Sequence, residues 1–400
     1  MRDVAVIGVG MHKFGKFLDL GIKDLGRVAI WNAIKDANID PRDIECAYVG
    51  NAMAGLITGQ ECIRGQLVLR EAGIGGIPVV NVENACASSA TSFREAYLMV
   101  AFGLYDVALA VGVEKLYCGD TATSIKAMAS ASDVETMGNM GFQFTANYAM
   151  GMKTYMAERG LTREHLAKIT VKNKYHGSLN PYAQYQKPMT IEEVLNSRMV
   201  ADPLTLYMCS TMGDGAAAVI LCSAEKARKY TSKALVYVVS SDLAMSRFTD
   251  PRKPAASSGD DEGPGANELA VKAYEKTGIG PEDIDVVEVH DAMAPAEIQH
   301  YESLGFVKKD DIAKVIEEEQ TWIHGDMPFN SSGGLAARGH PVGATGAAQV
   351  IELVWQLRGE AGPRQVKGRK GRGPKVGMAQ NNGGRTEDGP AVTSIIMVKR

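Results

Sequence analysis

Apolar positions along the chain follow two patterns. Nearly unbroken apolar runs at residues 107–113 and 216–221, with shorter ones at 4–9, 46–49, 78–82, 235–240, 286–289 and 376–379, predict strands. A run apolar at consecutive positions suits a strand buried on both faces. Between these runs lie helical patterns at 24–36, 147–159, 163–178, 267–277 and 344–357, and a small-residue helix from Cys86 through Phe102. Strand and helix alternate, which predicts an α/β chain with mainly parallel sheets and helices on their faces.

The chain also contains itself twice. Residues 37–52 (ANIDPRDIECAYVGNA) align with 277–292 (TGIGPEDIDVVEVHDA). Ile39, Pro41, Asp43, Ile44, Val49 and Ala52 match Ile279, Pro281, Asp283, Ile284, Val289 and Ala292. Each copy follows a helical pattern, runs into a strand, and has another strand upstream. A repeat this long is no solenoid; it predicts a duplicated α/β domain, with halves at 1–232 and 233–400. A Met-rich stretch at 117–208 interrupts the first half. An insertion of that length is expected to be a lid or binding element. Residues 252–266, rich in Pro and Gly, read as an exposed connection.

Composition narrows the classes. With 45% hydrophobic and 22% charged residues the chain is globular. A net charge of -4 provides no basic field for nucleic acid. No apolar run approaches the ~18 residues of a membrane span, and the N-terminus lacks the features of a secretion signal. The six cysteines have no close pairs of the zinc-site kind. A cytoplasmic protein with free thiols and no metal centre is expected.

Three residues stand where chemistry is expected. Cys86, in Asn84-Ala85-Cys86-Ala87-Ser88-Ser89, opens a helix, where the helix dipole would favour the thiolate; the alternative is a buried apolar cysteine. His340 lies among five glycines in Asn330–Gly346, immediately before a helix. Glycines permit close backbone approach, and an imidazole beside a thiol can serve as its base. His290 follows a strand, at the end where open α/β sheets place ligands.

These pieces, NACASSA around Cys86, EVHDAM around His290, NSSGGLAARGHPVGATG at 330–346 and AQNNGG at 379–384, together resemble the thiolase superfamily, nearest its sterol-carrier-protein-2 and archaeal branches. HGSLNPYAQYQK, NSRMVADPL and GDGAAAVIL extend the resemblance over the whole chain. It implies the thiolase fold: two βαβαβαββ halves in a five-layer α-β-α-β-α sandwich, the insertion being the loop domain that binds CoA. Cys86 would be acylated and His340 would take its proton. His290 with a water would form one oxyanion hole, and the N–H groups of Cys86 and Gly383 the other. Met150, Met293, Ser332 and Gly333 would meet the acyl-CoA. Coenzyme A would be a substrate, with no covalently bound cofactor. The resemblance further implies a homodimer or tetramer and a small zinc-binding OB-fold partner subunit.

One departure stands out. The second cysteine of thiolases, which moves the proton at C2 of the substrate, is replaced by Asn381 at one family position and by Ala292, followed by Met293, at the other. His290, Asp291, a water or, more distantly, Cys118 are the candidates to take over. The leading reading is CoA-dependent cleavage, or the reverse condensation, of a 3-oxoacyl-CoA, with a bulky or aromatic acyl group among the substrates considered. The rivals are a decarboxylating ketoacyl synthase, which needs no C2 base, and a non-catalytic acyl-CoA-binding scaffold subunit. The basic stretch Arg364, Lys367, Arg369, Lys370, Arg372 and Lys375 reads as a solvated loop or a docking site for an acidic partner or a CoA phosphate.

Overall fold

A computed structural model describes residues 1–248 and 266–400. The expected connection at 252–266 lies outside the described residues, save its last position. The predicted strands are β1 (Val4–Met11), β2 (Cys46–Gly50), β3 (Val79–Val82), β4 (Val107–Glu114), β5 (Gly215–Ser223), β6 (Val236–Met245), β7 (Val286–Glu288) and β8 (Val376–Thr386); β9 (Gly389–Lys399) joins them unpredicted. All nine are hydrogen-bonded in the order β3-β2-β4-β5-β1-β6-β9-β8-β7.

The duplication is visible in the pairing. In the first half β2 is parallel to β3 and β4, and β5 is antiparallel to β4 and β1. In the second, β7 is parallel to β8, and β9 is antiparallel to β8 and β6. A parallel bridge between Val287 and Phe329 stands where β3 stands in the first half. The halves meet edge to edge at Ala5/Tyr237 and Val6/Val236. The repeated Pro-x-Asp becomes a 3-10 turn in both copies, Pro41–Asp43 and Pro281–Asp283, each leading into a strand. Proline suits the first position of such a turn because its φ is already fixed and its missing N–H is not needed there.

The main helices are α1 (Ile22–Ala37), α2 (Arg64–Glu71), α3 (Ser88–Ala101), α4 (Phe144–Arg159), α5 (Arg163–Ser178), α6 (Ala266–Thr277), α7 (Glu297–Ser303) and α8 (Thr345–Arg358). Alternation along the strands assigns them to layers. Val4 and Val6 pack with α3 and α8, whereas Ala5 and Ile7 pack with α1 and α2. In the second half Ala379 and Ile395 face α8, while Met378 and Ile396 face α6 and α7. Five layers result, with α3 and α8 between the two sheet halves. α4, α5 and a short hairpin (Met199–Ala201 with Leu204–Thr205) lie between β4 and β5 in sequence. Among the described residues no helix is long and apolar enough to cross a membrane.

Candidate active site

The site gathers where loops from both halves meet over the central helices. Cys86 sits in a 3-10 turn, Ala85–Ala87, that leads into α3. Ala85 holds a positive φ of 43°, which a residue with a Cβ adopts only when its surroundings impose it. They do so here through Ser88, whose Oγ accepts the Asn84 N–H at 2.9 Å and donates to the Ala85 carbonyl at 2.7 Å. Gly383, in β8, lies directly against this turn. A Cβ there would strike the Asn84 carbonyl and come within 2.7 Å of Ala87 Cβ. The backbone N–H groups of Gly384 and of Cys86 itself lie near the thiol and favour its charged form.

His340 approaches from the other half. Its Nδ1 is 2.7 Å from Thr345 Oγ1, and the single hydroxyl proton of Thr345 goes to the Pro341 carbonyl at 3.0 Å. Thr345 must therefore accept from Nδ1–H, which leaves His340 Nε2 unprotonated, the tautomer a base requires. The loop is held by Glu114 at the end of β4. This buried carboxylate accepts the N–H groups of Ala52, Met53, Lys115 and Gly343 and the Asn51 amide. Segments 51–53, 114–115 and 340–343 thus share one anchor.

His290 completes the group. Its backbone N–H reaches Gln380 Oε1 at 3.3 Å, its carbonyl accepts from His300 Nε2 at 3.2 Å, and its buried Nδ1 has no hydrogen-bond partner among the described residues. The rings of His290 and His340 meet edge to face, with centroids 5.2 Å apart. Cys86 Sγ and one nitrogen of each ring lie within 4.8 Å of one another. Asp291 points elsewhere: its carboxylate accepts the Leu335 N–H at 2.8 Å and the Asn173 amide at 2.9 Å. Behind it α5 buries a polar face, where Lys172 is paired with Glu297 and Asn173 bonds Glu297 at 3.0 Å. Buried ions survive only when paired and hydrogen-bonded, and Glu297 is also held by Asn330 and Tyr301.

Burial sets the protonation states. It pushes the Cys86 thiol up to about 12, and the Glu114 charge adds to this, against the pull of the Gly384 and Cys86 N–H groups. The expected lowering by the helix N-terminus does not prevail, because desolvation of the thiolate exceeds the dipole's contribution. Burial, with the nearby Arg338 charge, brings His340 down to about 3, and burial likewise depresses His290. At neutral pH the three groups are a neutral thiol and two neutral imidazoles.

The remaining predicted residues are placed less uniformly. Asn381 is buried in β8 with its amide donating to Gln349 at 2.9 Å and its Oδ1 unpartnered among the described residues. Met293 is buried where the chain turns after His290, bridged to Cys209. Met150 points outward from α4. Ser332 and Gly333 are fully buried in the support behind the histidines, with Ser332 Oγ donating to Glu288 at 2.6 Å. Cys118 directs its thiol to the Asp120 carbonyl. The basic stretch loses Arg364, which is buried and paired twofold with Glu352 at 3.0 Å, and Arg369 bonds the Ile284 and Pro281 carbonyls. Gly384, Thr345 and Glu114 were not singled out from sequence. The Gly-Gly doublet and the threonine lay inside quoted motifs; Glu114 carried no local signal.

Known proteins resemble the chain over its whole length. Residues 4–225 match the thiolase N-terminal domain and 261–396 the thiolase C-terminal domain-like family. The chain is 44% identical to an acetyl-CoA acetyltransferase of Methanothermobacter thermautotrophicus over 96% of its own length and 97% of the relative's. It is 39% identical to the benzoylsuccinyl-CoA thiolase subunit BbsB of Thauera aromatica, covering 96% and 95%. Sterol carrier protein 2 of Bos taurus is 38% identical, covering 92% of this chain and 68% of that protein. Among solved structures, an Ltp2-ChsH2(DUF35) aldolase superposes with a TM-score of 0.79 at 23% identity, covering 100% and 98%. Human mitochondrial 3-ketoacyl-CoA thiolase does so at 0.74 and 19%, covering 100% and 99%. The chain belongs to the thiolase family. Its enzyme class is acyl transfer.

Proposed function

We propose that the protein is a thiolase that cleaves a 3-oxoacyl-CoA with CoA, or runs the reverse condensation, through an acyl group carried on Cys86. The observation that carries this is the meeting of Cys86 with two neutral imidazoles, one of them His340 with its Nε2 lone pair free. His340 takes the thiol proton as sulfur attacks the 3-keto carbon. The C2–C3 bond then breaks, and an acyl-CoA enolate leaves and is protonated at C2. The oxygen on the carbon bonded to sulfur is received by the N–H groups of Cys86 and Gly383, the glycine lying directly against the Cys86 turn. The enolate oxygen falls to His290 and a water. Free CoA finally collects the acyl group, and the insertion at 117–208 supplies the surface that holds it.

The proton that C2 needs is the one His340 took from the thiol, relayed through a water beside His290, which returns His340 to its neutral form. Asn381 has no acidic proton to give, and Asp291 is engaged with Leu335 and Asn173. The surroundings of Cys86 favour an apolar acyl group: Cys86 shares an apolar cluster with Met53 and Leu116, against which Met128, Phe144 and Met212 pack. Methionine adapts to bulky shapes, and one relative is named for a benzoylsuccinyl-CoA; an aromatic 3-oxoacyl-CoA is the substrate class this supports. A partner subunit is also proposed, since one relative is a subunit and one structural neighbour is named with DUF35. A homo-oligomer is proposed at the exposed β3 edge, where Val80, Phe102 and Leu104 are solvent-facing. The test is a thiolysis panel of aliphatic and aromatic 3-oxoacyl-CoAs, with and without copurifying protein. CoA-dependent cleavage that disappears in Cys86→Ala is expected; full activity in Cys86→Ala refutes the mechanism.

A further inference from the structure

The sequence shows no close-spaced metal ligands, yet the fold assembles a ligand set from residues 86, 290 and 340. One sulfur and two ring nitrogens lie within 4.8 Å of one another. Thr345 holds Nδ1 of His340 as a donor, so Nε2 offers an orienting-locked lone pair of the kind that binds metals. Among the described residues the buried Nδ1 of His290 has no hydrogen-bond partner, so turning that ring breaks no side-chain bond there. Tetrahedral zinc, with Zn–S near ~2.3 Å and Zn–N near ~2.0 Å, holds its ligand atoms roughly 3.5 Å apart. The three atoms need close by only about an ångström to reach that spacing. The adjacent carboxylate of Glu114, with all its contacts donors, supplies negative charge nearby without itself being a free ligand.

We propose that Cys86, His290 and His340 form a binding site for one divalent ion of the zinc class, and that the loaded protein is catalytically silent. Binding replaces the thiol proton: Cys86–SH and M²⁺ give a Cys86 thiolate–M²⁺ bond and release one proton to solvent. His290 and His340 each donate a nitrogen lone pair, and a water takes the fourth position. The ion holds the nucleophile and the base together, so acylation is blocked until it is removed. A sulfur and two imidazoles select zinc, cobalt or cadmium over magnesium and calcium, which require oxygen ligands. The site stands on geometry alone and does not depend on which acyl-CoA the protein takes.

Cobalt titration of the chelator-treated, reduced full chain reads the site directly. One equivalent of Co²⁺ is expected to give a thiolate-to-cobalt charge-transfer band and the visible bands of a tetrahedral ion, with zinc displacing both. Cys86→Ser is expected to remove the charge-transfer band, and Thr345→Val to weaken binding about tenfold through the loosened imidazole. His290→Gln, a separate variant, is expected to weaken cobalt binding by at least as much. No band with one equivalent of Co²⁺, or a band unchanged in Cys86→Ser or in His290→Gln, overturns the proposal. Failure of thiolysis with every substrate leaves these spectra unaffected, so the two readings are tested apart.

Discussion

Replacing Glu114 by glutamine removes one charge and inverts one hydrogen-bonding atom at the anchor shared by both halves of the site. In the native protein Oε2 accepts the N–H groups of Ala52 at 3.3 Å and Gly343 at 2.9 Å. Oε1 accepts from Lys115 and the Asn51 amide, each at 3.1 Å, and Met53 lies 3.2 Å from both oxygens. In Glu114→Gln the amide nitrogen must replace one oxygen. In either orientation two donors face another donor. Each stranded buried donor costs about 1–3 kcal/mol, so the loss of stability is about 2–6 kcal/mol. The same change removes a negative charge that opposes Cys86 ionisation, so the thiol ionises more readily. Unfolding midpoints measured in parallel with the wild type check the first effect. Iodoacetamide labelling of Cys86, followed by peptide mass spectrometry at fixed alkaline pH, checks the second. Stability falls, thiolysis falls, and alkylation rises. A loss below about 1 kcal/mol, or alkylation no faster than wild type, refutes the assigned role.

Three further outcomes are expected. Gly383→Ala drives a Cβ into the Cys86 turn and is expected to cost about 1–3 kcal/mol and to suppress acylation of Cys86 by more than tenfold, read by single-turnover mass spectrometry. Because the Cys86 thiol is held up at about 12, its thiolate fraction grows tenfold per pH unit across pH 7–10, whereas an ordinary cysteine levels off above about 8.5; alkylation rates across that range distinguish the two. Val80→Lys at the exposed β3 edge is expected to shift the protein to a smaller species in sedimentation velocity without loss of secondary structure by circular dichroism.

Local pattern carried most of the elements but not the direction of their pairing: alternating strand and helix predict a mainly parallel sheet, whereas five of the eight strand pairs in the nine-stranded sheet are antiparallel. The helix expected at 163–178 is α5 with those bounds, and the repeated Pro-x-Asp predicts two turns that the structure repeats. Both are short-range properties: apolar spacing, and a proline whose φ is already set. The meeting of Cys86, His290 and His340 was legible through the family motifs, since the motifs travel with the loops that bring them together. What escaped was decided by packing between distant segments. The Cys86 position at a helix start favours a thiolate, and only its burial shows that desolvation wins. Arg364 reads as one of six basic residues until its pairing with Glu352 is seen. The polar face of α5 resembles a solvated stripe in sequence, yet Lys172, Asn173, Lys174 and His176 are buried against the loops that carry the histidines. Glu114 sits in a strand 229 residues from the Gly343 N–H it holds, beyond any spacing rule.

The central claim is that Cys86 carries the acyl group, and intact-protein mass spectrometry tests it most directly. The chain is mixed with each 3-oxoacyl-CoA in the absence of free CoA. A mass gain equal to the acyl fragment, absent in Cys86→Ala and discharged by added CoA, is predicted, and its size names the preferred substrate. A gain that survives Cys86→Ala, or the absence of any gain from a substrate that the protein demonstrably cleaves, contradicts the account.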